Sequence, residues 1–178
     1  MDDTRNVQTL GGREIIESLD REFARLHEKS CAVIEETPVD SLYKVATPAA
    51  VASLNSGSPP IPSVGESVLR CAAAIEQTFG GITSNLWDDP FEWTLPEYLS
   101  TPGKITEHLA EVEATRKRAF SSFTDDACLL QGVAVPSGET RRLIDLLLET
   151  LLRAAESQAR ARFALSTLSG ISPPGFII

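Results

Sequence analysis

Histidine is almost missing from this chain: His27 and His108 are the only two in 178 residues. Neither has another histidine one helical turn away, so H-E-x-x-H and related two-histidine metal motifs are excluded. Cysteine is sparse as well, and Cys31, Cys71 and Cys128 form no C-x-x-C pair. Set among apolar neighbours, they read as reduced, buried thiols rather than as a disulfide framework. No apolar run reaches the ~18 residues that a bilayer span requires. Met1-Asp2-Asp3 is unlike a signal peptide. A cytoplasmic protein with no membrane partner is the expectation. A G-x-S-x-G elbow, a P-loop and a G-x-G-x-x-G turn are lacking too, which removes the commonest hydrolase and nucleotide signatures.

Positive charge is in deficit. Sixteen basic residues face 25 acidic ones, a net charge of −9. Such a field repels phosphate backbones, so no nucleic-acid partner is expected. The one basic run, Arg116-Lys117-Arg118, reads as a solvated patch near the end of a helix. Strand-type alternation is not convincing anywhere. The hydrophobic fraction of 42% and charged fraction of 23% are ordinary for a globular protein. A single domain over residues 1–178 is the simplest division, able to bury roughly 70% of its unfolded surface.

What the chain does have is helical periodicity. From about Arg13, the residues Ile16, Leu19, Phe23, Leu26, Ser30 and Val33 keep 3–4 spacing until Pro38. His27 lies one position off that stripe and reads as a half-exposed packing residue. Residues 37–62 hold five prolines around Asn55-Ser56-Gly57-Ser58, the composition of a crossover loop. Ser63 with Glu66 makes an S-x-x-E capping box for a second helix, with Val64, Val68, Cys71, Ile75, Phe79, Ile82 and Leu86 as its seam. Gly80-Gly81 suggests a kink or a close contact in it.

Residues 87–103 carry both tryptophans and read as a connector that covers one end of the molecule. Thr101-Pro102 opens a third helix with Ile105, Leu109, Val112, Ala119 and Phe123 inward. His108 with Glu107 or Glu111 reads there as solvated helix surface.

The last segment, Ser137 to Ile171, reads as one long helix. Ser137 stands at its N-cap and Glu139 in its first turn, with Gly170 and Pro173-Pro174 as its stop. Its inward stripe reads as Ile144, Leu147, Leu148, Leu151, Leu152, Ala155 and Ala159, widened by Leu143, Leu146 and Leu165 so that the helix is buried on more than one side. Four long helices with unequal connectors imply an all-α four-helix bundle, with the long irregular crossover between helices 1 and 2 and a core of about 13–172.

Those residues carry a resemblance. Ser63-Val64-Gly65-Glu66 is similar to the S-[IV]-G-E start of the second helix in the DinB-like superfamily. Gln158, Phe163, Leu165 and Leu168-Ser169-Gly170-Ile171-Ser172-Pro173 resemble that family's H-x-x-x-H-R-x-Q helix and its "LGI-x-P" ending. The superfamily comprises four-helix bundles that include thiol-dependent transferases and isomerases. The resemblance implies a metal site of three histidines, one on the second helix and two spaced i, i+4 on the last.

Aligned on these motifs, the ligand positions fall on Arg70 (with Cys71 beside it), Leu151 and Ala155. None of Arg70, Leu151 and Ala155 can coordinate a cation. If Arg70 points inward, Glu149 or Glu156 is its expected partner. If Cys71 points inward, the site becomes an apolar plug with Leu151 and Ala155. The seam of the second helix favours Cys71, and Gln158 is a further polar pocket candidate.

The expected function is therefore a DinB-like bundle that has lost its metal, with no cofactor. It would be a non-catalytic ligand-binding or protein-interaction module whose partners are a small molecule or a second copy in a homodimer. Two alternatives belong to the enzyme class. One is a metal-independent thiol-dependent transferase or isomerase using Cys71 or a pocket arginine. The other is a divergent metalloenzyme with a site rebuilt from Cys71, His27 and a carboxylate.

Overall fold

The computed structural model describes residues 12–45, 62–90 and 98–169, and these are mostly helical. Among them are four long helices: α1 (Glu14–Glu35), α2 (Val64–Ser84), α3 (Pro102–Ser122) and α4 (Leu143–Ser169). Short 3-10 turns at Val39–Ser41 and Asp126–Leu130 join them, together with an antiparallel hairpin of β1 (Gly132–Ala134) and β2 (Thr140–Arg142).

Local chemistry sets most of the helix ends. Ser63 Oγ accepts from Glu66 N at 3.2 Å and Thr101 Oγ1 from Lys104 N at 3.3 Å, each satisfying a donor that the first turn leaves free. Asn85, at φ 55°, ends α2 in the left-handed conformation. α1 is capped from a distance. The carboxylate of Asp126 accepts from the N–H groups of Ile15 (3.1 Å) and Ile16 (2.9 Å). In return, Arg13 donates to the carbonyls of Phe120, Phe123 and Thr124 at the end of α3.

Side-chain contacts fix the helix directions. Phe23 meets Phe79 while Ser30 meets Cys71, so α1 and α2 are antiparallel. Arg13 reaches Phe120 while Arg116 reaches Asp20, so α1 and α3 are antiparallel too. Thr78 with Thr150 and Gln77 with Arg153 make α4 antiparallel to α2. α1 and α4 therefore run one way, α2 and α3 the other.

Most of the expected crossover between α1 and α2, residues 46–61, lies outside the described residues; beside it Gly65 N donates to Leu42 O at 2.8 Å, so the end of α1 and the start of α2 lie close together. Tyr43 Oη donates to Leu99 O at 2.6 Å, which brings the start of α3 to the same end of the molecule.

The core runs continuously through all four helices, with Phe23, Phe79 and Phe120 meeting at centroid distances of 5.3–5.8 Å. The inward residues read from the sequence for α1 are all buried, as are those of α2 through Phe79 and all five of α3. Ile82 is partly buried, and Leu86 is 61% exposed. At Gly81 the Trp87 ring leaves no room for a side chain, so the glycine pair marks a close contact.

Three other expectations are corrected. α4 begins at Leu143, because residues 132–142 form a hairpin instead of a first helical turn. Gly138, at φ 82°, makes the turn, and Ser137 and Glu139 belong to it rather than to a cap. The stop at Gly170 and Pro173-Pro174 lies outside the described residues.

The buried face of α4 is Leu143, Leu146, Leu147, Thr150, Ala154, Gln158, Ala161 and Ala164. Of the expected stripe Leu147 is fully buried, as are Leu143 and Leu146 beside it; Ile144, Leu151 and Leu165 are partly buried, and Leu148, Leu152, Ala155 and Ala159 are exposed. α2 presents Ala73 and Ala74 at 5–6% exposure, and small residues on both helices let the backbones approach closely.

Thirdly, Arg116 is no solvated patch but, among the described residues, the largest fully buried side chain. It follows Val112 by four residues and precedes Ala119 by three, and so shares their inner face.

Candidate functional site

The positions matched to the family's ligands do not converge. Arg70 lies on the surface of α2, its guanidinium 3.1 Å from Glu66, one turn back. Neither Glu149 nor Glu156 is the partner expected for it: Glu149 pairs with Arg141 at 2.7 Å and Glu156 with Arg160 at 2.5 Å, all near the surface. Leu151 is half-buried against the core and Ala155 is exposed. Gln158 is buried, and its Nε2 has no partner among the described residues.

Cys71 does point inward, but toward α1. Its Sγ lies 3.8 Å from Ser30 Oγ. Burial pushes the thiol up to about 11, more than the Ser30 hydrogen bond lowers it. Cys71 lines a cavity of about 10 Å³ with Leu26, His27, Ser30, Leu109 and Glu113, at the limit for one water.

Cys71, His27 and a carboxylate thus border one space, yet each is already engaged. Glu113 grips Arg116 through two hydrogen bonds, Nε at 2.8 Å and Nη2 at 2.7 Å. His27 Nε2 lies 3.7 Å from Cys31 Sγ. No group of three or more histidine, cysteine or acidic side chains is arranged to hold a metal among the described residues.

The seam between α2 and α4 holds a neutral contact. Thr78 and Thr150 share a 2.6 Å hydroxyl–hydroxyl hydrogen bond, and Thr150 also donates to Leu146 O at 2.7 Å. Ala154, one turn further along α4, and Ala161, two turns beyond that, continue the buried face at 0% exposure.

Open recesses flank this seam among the described residues. A groove of about 960 Å³ lies between α2 and α3, lined by Glu76, Gln77, Ile82, His108 and Arg118 among others. His108 Nε2 stands 3.8 Å from Glu76 Oε2, across the helices rather than beside its own Glu107 or Glu111. Burial raises the Glu76 carboxyl, as does Glu111, while His108 opposes the rise. The second recess, of about 250 Å³, holds Gln77, Trp87, Arg141, Glu149 and Arg153 beneath the hairpin. Trp93 lies outside the described residues.

The Glu76–His108 pair and the Asp20–Glu113–Arg116 cluster were not singled out from the sequence. Helical phase was the available signal: Glu76 follows the seam residue Ile75, and His108 precedes Leu109.

Comparison with family models, curated proteins and solved structures found no match to this chain.

Proposed function

We propose that this chain is a DinB-like four-helix bundle that works without the family's metal, as a ligand-binding or protein-interaction module. One observation carries the reading. The three ligand positions hold a surface arginine, a half-buried leucine and an exposed alanine, while threonine and alanine fill the seam between α2 and α4. A catalytic transition-metal site needs about three converging donors, and these positions supply none.

The thiol-dependent alternative finds little support. A cysteine raised to about 11 and enclosed beside Ser30 carries almost no thiolate near neutral pH. Nor does the rebuilt metal site, whose carboxylate is already bound twice by Arg116.

Two measurements test the reading together. Metal analysis of protein purified without a histidine tag is expected to find far less than one equivalent of zinc or nickel. Maleimide is expected to label half-buried Cys31 first and Cys71 only after denaturation. Stoichiometric metal, or rapid labelling of Cys71 in the native state, overturns it.

A further inference from the structure

The outer face of α4 is apolar along its length. Leu148 is 44% exposed, Leu152 72% and Phe163 41%, with Ala155 and Ala159 exposed between them. At 100° per residue these five side chains form one stripe on the side away from the buried face. Isolated exposed apolar residues are ordinary, but an aligned set along one helix marks a contact surface.

Charges beside the stripe select its occupant. Along one flank run Glu149, Arg153, Glu156 and Arg160, all near the surface. When two α4 helices lie antiparallel across a two-fold axis between residues 154 and 155, Glu149 comes level with Arg160 of the other copy. Glu156 comes level with Arg153 in the same register, so a single alignment makes four opposite-charge pairs by symmetry. A parallel pairing sets each residue level with itself, Glu149 against Glu149.

These side chains now have partners on their own chain: Arg141 for Glu149, Arg160 for Glu156 and Gln77 for Arg153. Such exposed pairs are worth at most about 1 kcal/mol and exchange readily.

We propose that the outer stripe of α4 is the docking surface for a second copy of this chain, the two helices packing antiparallel with Leu148, Leu152 and Phe163 in the contact. The proposal gives the interaction-module reading a partner. It can also fail alone, since that reading is tested by metal content and Cys71 labelling.

The test measures mass by sedimentation over a concentration series, for the whole chain and for Leu152→Glu. A concentration-dependent dimer is expected for the wild type. The substitution should raise its dissociation constant about tenfold or more, the loss expected for a contact at the centre of an interface. Because Leu152 faces solvent, the variant should keep the wild-type circular dichroism and melting temperature of the monomer. Should it fail to fold, Leu152→Ser serves instead.

Orientation is read from disulfide cross-linking, against the wild type as background. Ala155→Cys should cross-link, its copies being offset by about 1.5 Å along the axis. Ala159→Cys should not, since its copies are about 14 Å apart. Mass that stays monomeric, a dimer indifferent to Leu152→Glu, or equal cross-linking at both positions overturns the proposal.

Discussion

The α1–α3 seam and the α2–α4 seam both bury polar groups, and they do so by opposite means. Between α1 and α3 the group is charged: Arg116, with its side chain 2% exposed, is held by Glu113 and Asp20 and lies 5.5 Å from the Phe120 ring centroid. Between α2 and α4 it is neutral, a threonine pair set among alanines. A charged cluster stabilises one arrangement because every alternative strands a charge. A neutral seam tolerates exchange but allows the backbones closer. The first kind locks a pair of helices, and the second fills a space.

Removing a lock should have the largest effect. Arg116→Ala leaves the buried Glu113 carboxylate without its main partner and opens a void beside Phe120; a loss of about 3–5 kcal/mol is expected in urea unfolding, the range for breaking a buried pair. Replacing both partners, Arg116→Met with Glu113→Leu, should recover most of that loss, because paired apolar groups strand nothing.

Acid reads out the same contact. Burial alone would raise the Glu113 carboxyl, but the hydrogen bonds and charge of Arg116, with His27 and Lys117 adding to them, hold it below the ordinary value. A carboxyl lowered on folding stabilises fully above its unfolded pKa and loses that contribution as pH falls through its folded one. Melting temperature should therefore fall on the acid side in the wild type and less steeply in Glu113→Gln.

The end clamp comes next. Asp126→Ala frees two N–H donors at the start of α1, and about 1–2 kcal/mol is expected, the upper range for losing a helix cap. Asp126→Asn should recover part of it, since an amide oxygen still accepts.

The two seams also explain what the sequence revealed. Large residues at 3–4 spacing face inward in α1, α2 and α3, so Phe23, Phe79 and Leu109 announce their seams. In α4 the rule of size misleads. Leu143, Leu146 and Leu147 follow it, but beyond them the close seam with α2 excludes bulk, so the buried face continues with Thr150, Ala154 and Ala161 while the larger Leu148 and Leu152 lie outside. Arg116 was obscured because three consecutive basic residues look solvated until the helical phase of the first is considered. The hairpin was legible in principle from Val133 and Val135 before Pro136-Ser137-Gly138, a turn signal shadowed by the helix that follows. The positions matched to the family's ligands were easily found in the sequence. Their scattered placement was not, because motif alignment carries no helical phase.

Within the neutral seam, partnership should matter more than polarity. Thr150→Val leaves the Thr78 hydroxyl buried without its partner, and about 1–2 kcal/mol is expected in thermal unfolding. Adding Thr78→Val removes the stranded group and should return stability to near the wild-type value. A double variant as weak as the sum of the single changes would mean that the hydroxyls act separately.

The smallest effect should run the other way. Gln158 Nε2 and Ser67 Oγ are enclosed without partners among the described residues, and a polar atom in that position costs stability relative to an apolar one of similar shape. Helical spacing puts Ser67 on the face of α2 that carries Thr78, so both strays belong to the same seam. Gln158→Met keeps the length of the side chain and drops the unsatisfied amide; a gain of about 0.5–1 kcal/mol is expected, or a few degrees in melting temperature. A loss instead would show that the amide bonds to a water or ligand held in the seam, and the α2–α4 interior would then be a polar site rather than a filled one.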